Sequence, residues 1–265
     1  MILTPENYFS PEASREYMSV SQFKEFAGTL GMKGCEEMAL AKLSGRWTEE
    51  TGEALLQGSF VDAHFEGTLP KFLKEHPEIC TGKGDLRAGY IHMLDVIKRI
   101  ERDAYFMKCM SGEKQIILTG EIFGLQWKGK LDSFIANTCI VDLKVMRSIR
   151  DTFYVPELYR RLSFVEYYGY DIQAAIYQKL VEIKTGQKLP FMIAVASKET
   201  FPDIEVLAFT QTDLDKAMQR VFASIARVQQ LKEGSMVDPK RCEECDYCHT
   251  TKILTKPIHY SELTR

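Results

Sequence analysis

The chain has 265 residues, of which 45% are hydrophobic and 27% charged, the balance of a soluble globular protein with a sizeable core. Its formal net charge of -3 means that a nucleic-acid partner would be held by a local basic patch and not by overall charge. The sequence has no apolar run near the roughly 18 residues of a membrane span, and its start lacks the pattern of a secretion signal. The seven cysteines are an odd number in a chain too long to need disulfides. We therefore expect a cytoplasmic protein whose cysteines are reduced thiols or metal ligands.

The first part of the chain predicts mainly helices. Apolar residues recur at spacings of three and four through 19–43, with Ser19 and Ser21 as candidate N-caps. A second helix is expected over 49–65, ending near Gly67. The prolines and glycines of 68–86 predict a surface excursion between helices, and a further helix is expected over 86–110.

The hydrophobic period changes from residue 114 onward. Short β-branched and aromatic runs predict three strands in a meander, followed by a helix within 160–186, two more strands, a long amphipathic helix and an irregular tail. This order predicts an α/β fold with a central mixed sheet flanked by helices. We interpret residues 1–265 as a single domain with three parts: a helical part (19–110), a core (114–235) and a cysteine-bearing tail (236–265).

Two aspartates and a lysine on the meander form a candidate site. Asp132 stands at the end of one predicted strand, and Asp142 and Lys144 share one face of the next because side chains alternate along a strand. A tight hairpin through 136–138 would place Asp132 beside them. Charges crowded on a buried sheet need compensation, which a hard divalent cation with oxygen ligands would provide. From periodicity alone, a solvated and salt-bridged strand is an equally good interpretation.

The sequence around this cluster resembles a known enzyme superfamily. The segments G129-K-L-D132 and V141-D142-L-K144 resemble the core of PD-(D/E)xK nucleases, and the chain is similar to their RecB-like branch, most closely to the phage RecE and lambda-type exonuclease group. Further segments support the resemblance: S19-V-S-Q-F-K-E-F, G58-S-F-V-D62, Y170-D-I-Q173-A-A-I-Y177 and C242-E-E-C-D-Y-C248.

The resemblance implies a restriction-endonuclease-like fold and roles for particular residues. Asp132 and Asp142 would bind Mg²⁺ or Mn²⁺, and Lys144 would be catalytic. Asp62 would be an additional ligand, at a position where the RecB-like pattern usually has His. Gln173 and Tyr177, four apart on one helix face, would contact the metal site or the DNA end.

Two further polar residues, His64 and Glu121, are interpreted separately from the candidate site. His64 would point away from Asp62 on its helix and is expected to be structural. Glu121 is interpreted either as another acid near the site or as a turn residue, and the turn is favoured.

Three cysteines repeat at every third residue in the tail. Cys242, Cys245 and Cys248 need a fourth ligand to complete a tetrahedral Zn²⁺ site or to hold a 4Fe-4S iron–sulfur cluster. The resemblance to iron–sulfur RecB-like nucleases places Cys35 there, and His249 is an alternative that suits zinc better. Free surface thiols are the third interpretation. The remaining cysteines show no spacing and are expected to be small apolar residues: Cys80, Cys109 and Cys139.

These patterns predict a Mg²⁺-dependent exonuclease acting on the ends of double-stranded DNA. The resemblance adds a 5′ to 3′ polarity, a homo-oligomeric ring, hand-off of the single strand to a recombination annealing protein, and a bacterial or phage-infected cell as the location. The alternative is a non-catalytic nucleic-acid-binding protein that uses the cysteine tail and four arginines: Arg147, Arg150, Arg160 and Arg161. A structural phage protein is the third possibility, and the concentrated charges argue against it.

Overall fold

The computed structural model describes residues 1–235 and 237–264. The first and last residues of the predicted tail, 236 and 265, lie outside the described residues. The regular structure of residues 19–110 is mainly helical, as predicted, with a 3-10 turn at Pro77–Ile79, and one further helix lies before residue 19. The helices are α1 (Pro11–Glu16), α2 (Val20–Ala27), α3 (Glu36–Leu43), α4 (Glu53–Phe65), α5 (Leu69–Glu75), α6 (Ala88–Glu101) and α7 (Ala104–Cys109).

The helix boundaries in this part differ from the predicted ones. The helix expected over 19–43 is broken into α2 and α3, because the chain turns back at Gly28, whose φ is 76°. A Cβ at Gly28 would lie 2.5 Å from the carbonyl oxygen of Met32, so the turn requires glycine. The surface excursion contains α5. The helix expected over 86–110 ends before Asp103, whose carboxylate accepts a hydrogen bond from the Phe106 amide at 2.8 Å and caps α7.

After residue 114, the described chain forms six strands, two helices, two strands and two helices, in that order. The strands are β1 (Ile116–Ile122), β2 (Leu125–Leu131), β3 (Ser133–Ile135), β4 (Cys139–Met146), β5 (Thr152–Val155), β6 (Arg160–Ser163), β7 (Phe191–Ser197) and β8 (Ile204–Ala208). The helices are α8 (Phe164–Tyr167), α9 (Tyr170–Thr185), α10 (Gln211–Lys232) and α11 (Asp246–Thr250), with 3-10 turns at Pro156–Leu158 and Tyr260–Thr264.

The strands form one mixed sheet and two hairpins. The sheet has the order β3-β4-β7-β8, with β4 and β7 parallel and the other pairs antiparallel. The hairpins are β1–β2 and β5–β6. Helices pack on both faces of the sheet, so the predicted fold class is confirmed.

Several predictions between residues 114 and 250 were wrong in detail. The segment predicted as a three-stranded meander has four strands, and these form the separate hairpin β1–β2 and the pair β3–β4 because the chain breaks at Asp132. The helix expected within 160–186 begins as β6, which pairs with β5. Glu121 belongs to β1 and pairs with Gln126, and the adjoining turn is at Phe123. The tail is not wholly irregular, because it contains α11.

The two faces of β4 determine where the candidate site lies. Val141 and Leu143 pack with α4 and α6, whereas Ile140 packs with α9 and α10. Since side chains alternate, Asp142 and Lys144 lie on the Ile140 face, under α9. Among the described helices, none combines the length and apolarity needed to cross a membrane.

Candidate active site

The chain turns sharply at Asp132, and this corner brings Asp132 to β4. The hairpin between β3 and β4 turns at Asn137, which has the left-handed φ of 59° that asparagine tolerates. The Oδ2 of Asp132 then accepts a hydrogen bond of 2.9 Å from the amide of Leu143. Leu143 lies between Asp142 and Lys144, so this bond fixes Asp132 beside both.

Asp142 is almost wholly buried, with 3% of its surface exposed. Its Oδ1 accepts a hydrogen bond of 2.7 Å from the side-chain amide nitrogen of Gln173, which lies on α9. Its Oδ2 forms an ion pair with the Lys144 ammonium, and no described residue gives that oxygen a well-directed hydrogen bond. A buried carboxylate oxygen without a hydrogen-bond donor fits a ligand for a hard cation.

The site holds more acidic groups than its one buried lysine can balance when all of them are ionised. Burial raises the pKa of Asp132 well above its usual value, and the neighbouring Asp142 raises it further. Burial also raises the pKa of Asp62, to about 7, although Lys144 opposes the shift. Burial alone would lower the pKa of Lys144, but the carboxylates of Asp142 and Asp132 raise it. Three acidic groups therefore lie beside one lysine, and a bound divalent cation would favour their ionised forms.

A cleft of about 640 Å³ joins these residues. Asp62 reaches it from α4, and Gln173 and Tyr177 reach it from α9. The Tyr177 ring packs on β2 at Gly129, where a Cβ would lie 2.9 Å from the ring. His64 does not enter the cleft, and its Nε2 lies 2.9 Å from Glu101 Oε1.

The cleft has a basic wall. Lys128 and Lys130 line it from β2, and Lys24 lines it from α2. The Lys24 ammonium donates a hydrogen bond of 2.9 Å to the carbonyl of Tyr168. Burial lowers the pKa of Lys24 to about 8, and repulsion from Lys144 acts in the same direction. The cleft therefore offers both the acids of a metal site and cations for a phosphate backbone.

The four cysteines of the predicted second site lie together. All four Sγ atoms lie within 4.8 Å of one another, and the Sγ of Cys248 lies 3.6 Å from that of Cys35 and 3.9 Å from that of Cys242. Cys35 comes directly before α3, while the other three surround the start of α11. His249 is not part of this group, and neither are Cys80, Cys109 and Cys139.

The cysteine cluster lies at a junction of the two ends of the chain. Glu36 forms an ion pair with Arg227 at 2.6 Å and accepts a hydrogen bond of 2.7 Å from the Lys240 amide. Glu37 pairs with Arg241 at 2.6 Å. These contacts hold the tail against α3 beside the sulfur atoms.

Comparison with known proteins identifies the family. Residues 19–251 match the family described as "PDDEXK-like domain of unknown function (DUF3799)". The chain belongs to this family. The crystal structure of a "putative exonuclease" from Eubacterium rectale is 52% identical and covers 100% of this chain and 98% of that chain, with a TM-score of 0.96. The alignment with the crystal structure of SSO0001 covers 83% of this chain and 95% of that chain, with 13% identity and a TM-score of 0.32. No curated protein matches the chain.

Membership of the PDDEXK-like family agrees with the site geometry. The family's name describes an acid followed two residues later by lysine, and D142-L-K144 has this pattern on β4. The mixed sheet with helices on both faces is the restriction-endonuclease-like fold that the name implies.

The arginines of the binding alternative already have partners within this PDDEXK-like domain. The contacts are Arg147 with Asp151, Arg150 with Asp203 and Glu205, Arg160 with Glu166, and Arg161 with Thr152. None of the four lines the candidate cleft of the described structure. The structure therefore gives these arginines no special role in binding DNA at this cleft.

Sequence reasoning missed several residues of the cleft. Lys128 and Lys130 precede Asp132 at intervals of two along the predicted strand, so the alternation that linked Asp142 to Lys144 would have found them. Lys24 lies within the segment that resembles the family's opening helix. Tyr8 and Phe9 also line the cleft, but the sequence before residue 19 carries no pattern that indicates this.

Proposed function

We propose that this PDDEXK-like domain is a divalent-cation-dependent nuclease that hydrolyses DNA phosphodiesters from duplex ends. The observation that carries the proposal is the convergence of Asp132, Asp142 and Lys144 in a cleft whose wall is basic. The similarity to the Eubacterium rectale protein, which is described as a "putative exonuclease", supports action at ends.

Asp132 and Asp142 would hold Mg²⁺ or Mn²⁺, with Asp62 as a further ligand. The bound cation would supply Lewis-acid stabilisation of the charge on the reacting phosphate. Gln173 holds Asp142 in position through its 2.7 Å hydrogen bond. The Lys144 ammonium, beside Asp142, donates hydrogen bonds to the attacking water or to a phosphate oxygen. Lys24 and Lys130 line the cleft and would contact the flanking phosphates.

The resemblance to the phage RecE and lambda-type group extends this proposal. Degradation would run 5′ to 3′, a homo-oligomer would enclose the duplex, and the remaining strand would pass to an annealing protein in recombination.

We infer that the cysteine cluster binds one zinc ion. Zn–S bonds of about 2.3 Å in a tetrahedron place the sulfur atoms about 3.8 Å apart. The Sγ of Cys248 lies 3.6 Å from that of Cys35 and 3.9 Å from that of Cys242, and all four Sγ atoms lie within 4.8 Å of one another. A four-iron cluster inserts a cube of iron and sulfide between its thiolates, which would hold them farther apart than this arrangement does. The site would have a structural role, because four protein ligands leave no open position on the ion.

The proposed function is tested with linear duplexes labelled at either the 5′ or the 3′ end. In Mg²⁺, we expect the 5′ label to be released first as short products while the 3′ label stays in a shrinking strand. A closed circle should resist, and EDTA should stop all release. Cleavage of the closed circle at the same rate as linear DNA would contradict action at ends, and release in EDTA would contradict the metal site.

A further inference from the structure

The segment before α2 forms one wall of the candidate cleft and is attached to the strand that leads to Asp132. The Met18 amide donates to the Gln126 carbonyl at 2.7 Å, and the Lys128 amide donates to the Met18 carbonyl at 2.8 Å. The buried Lys128 ammonium donates to the Tyr8 carbonyl at 2.6 Å and lies 4.8 Å from the centre of the Tyr8 ring. The backbone at Tyr8 is therefore fixed to β2.

Tyr8 and Phe9 are neighbours in this fixed segment, but their side chains differ in exposure to solvent. Tyr8 is 6% exposed, whereas Phe9 is 75% exposed although it lines the cleft. The two rings meet edge to face, with their centres 4.9 Å apart. The Nζ of Lys130 lies 5.3 Å from the centre of the Phe9 ring. A single exposed phenylalanine is common, but this ring combines a fixed backbone, a supporting ring and a neighbouring cation at the cleft.

We propose, building on the proposed nuclease function, that Phe9 is a stacking platform for the terminal base of the strand whose phosphate enters the cleft. Lys130, two residues from Asp132, contacts the adjoining phosphate. Aromatic rings stack on every kind of base, because each base has a π-face. This tolerance suits an enzyme that receives each nucleotide of a strand in turn.

A duplex whose terminal nucleotide is 2-aminopurine tests this contact directly, because stacking quenches the fluorescence of that base. Binding is measured with Ca²⁺ in place of Mg²⁺ for four proteins: the wild type, Phe9→Ala, Phe9→Tyr and Ile2→Ala. Ile2 is 89% exposed in the same segment and does not line the cleft, so it is a matched control. We expect Phe9→Ala to weaken binding by about 5- to 100-fold and to lose the quench. Phe9→Tyr and Ile2→Ala should behave like the wild type.

Nucleotide release in Mg²⁺ by the same four proteins separates the two proposals. Equal quenching and equal release by the wild type and Phe9→Ala would overturn the stacking role while leaving the nuclease proposal intact. A quench that depends on the Phe9 ring, without nucleotide release by the wild type, would support the contact and contradict nuclease activity. Failure of the wild type to quench the terminal base would overturn the stacking role whatever its activity.

Discussion

The two oxygens of Asp142 have different partners. Gln173 donates a hydrogen bond to Oδ1 and fixes the plane of the carboxylate, while Lys144 faces Oδ2. We therefore propose that Gln173 is a positioning residue, because its described contact is with Asp142.

Gln173→Ala removes this support. We expect nucleotide release to fall by about 10- to 100-fold, as for other residues that orient metal ligands, with weaker apparent affinity for Mg²⁺. The measurement is the rate of release across a Mg²⁺ titration. Lys184→Ala, at an exposed position on the same helix, is the control and should match the wild type. An unchanged Mg²⁺ dependence in Gln173→Ala would contradict the positioning role.

The residues of the site differ in how far the sequence predicts them. Alternation along β4 places Asp142 and Lys144 on one face, so their proximity follows from spacing alone. The contact between Gln173 and Asp142 depends on how α9 packs over the sheet, which spacing does not determine. Phe9 is a single aromatic residue outside any periodic element, and only the folded chain places it at the cleft.

At the level of secondary-structure elements, close packing between β2 and α9 positions the residues of the candidate site. Gly129 has no side chain where Tyr177 and Leu180 approach the strand, at 2.9 and 3.0 Å from a Cβ built there. Glycine at position 129 therefore lets α9 pack closely on β2. Because α9 carries both Gln173 and Tyr177, this packing positions both residues at the site.

Gly129→Ala and Gly58→Ala form a matched pair of substitutions. We expect Gly129→Ala to lower the free energy of unfolding by about 1–3 kcal/mol, because the new methyl group displaces packed side chains. Gly58 lies within α4 with open space around its Cβ position. Gly58→Ala should therefore raise that free energy, by about 0.5–1 kcal/mol. Denaturant unfolding measures both, and a change of the same sign in both variants would contradict the packing argument.

Periodicity predicted the long elements but not their breaks. It anticipated α4, α9 and α10, whose apolar residues recur over several turns. It missed the break at Gly28, where the chain returns on itself between α2 and α3. It also missed the β5–β6 hairpin, because four-residue strands carry too few alternations to outweigh the helical pattern that follows them.

The cysteine cluster links distant parts of the whole molecule. Cys35 and Cys248 are 213 residues apart in sequence, yet their sulfur atoms lie 3.6 Å apart. A bound ion would fasten the tail to α3 beside the ion pairs of Glu36 and Glu37.

Removing one thiol tests this link. We expect the wild type to contain one zinc ion per chain by elemental analysis, and Cys248→Ser to lose it. The thermal midpoint of Cys248→Ser should fall by at least about 5 °C, because a lost tetrahedral site costs several kcal/mol. Cys80→Ser, outside the cluster, is the control. Iron and sulfide in place of zinc would contradict the single-ion interpretation, and absence of both metals would contradict the metal site.

The regular spacing of three cysteines predicted a shared site, but it did not decide whether Cys35 or His249 is the fourth ligand. Spacing within a segment cannot decide which distant residue meets it. That choice depends on the packing of α11 against α3, which the structure supplies.

The central claim is that Asp132, Asp142 and Lys144 form the catalytic site of a metal-dependent nuclease. The most direct measurement compares nucleotide release from linear duplex DNA in Mg²⁺ by the wild type, Asp142→Asn and Lys144→Ala, with folding checked by circular dichroism. We predict that both variants stay folded and lose at least about 100-fold of the rate. Wild-type rates in both variants would contradict the claim.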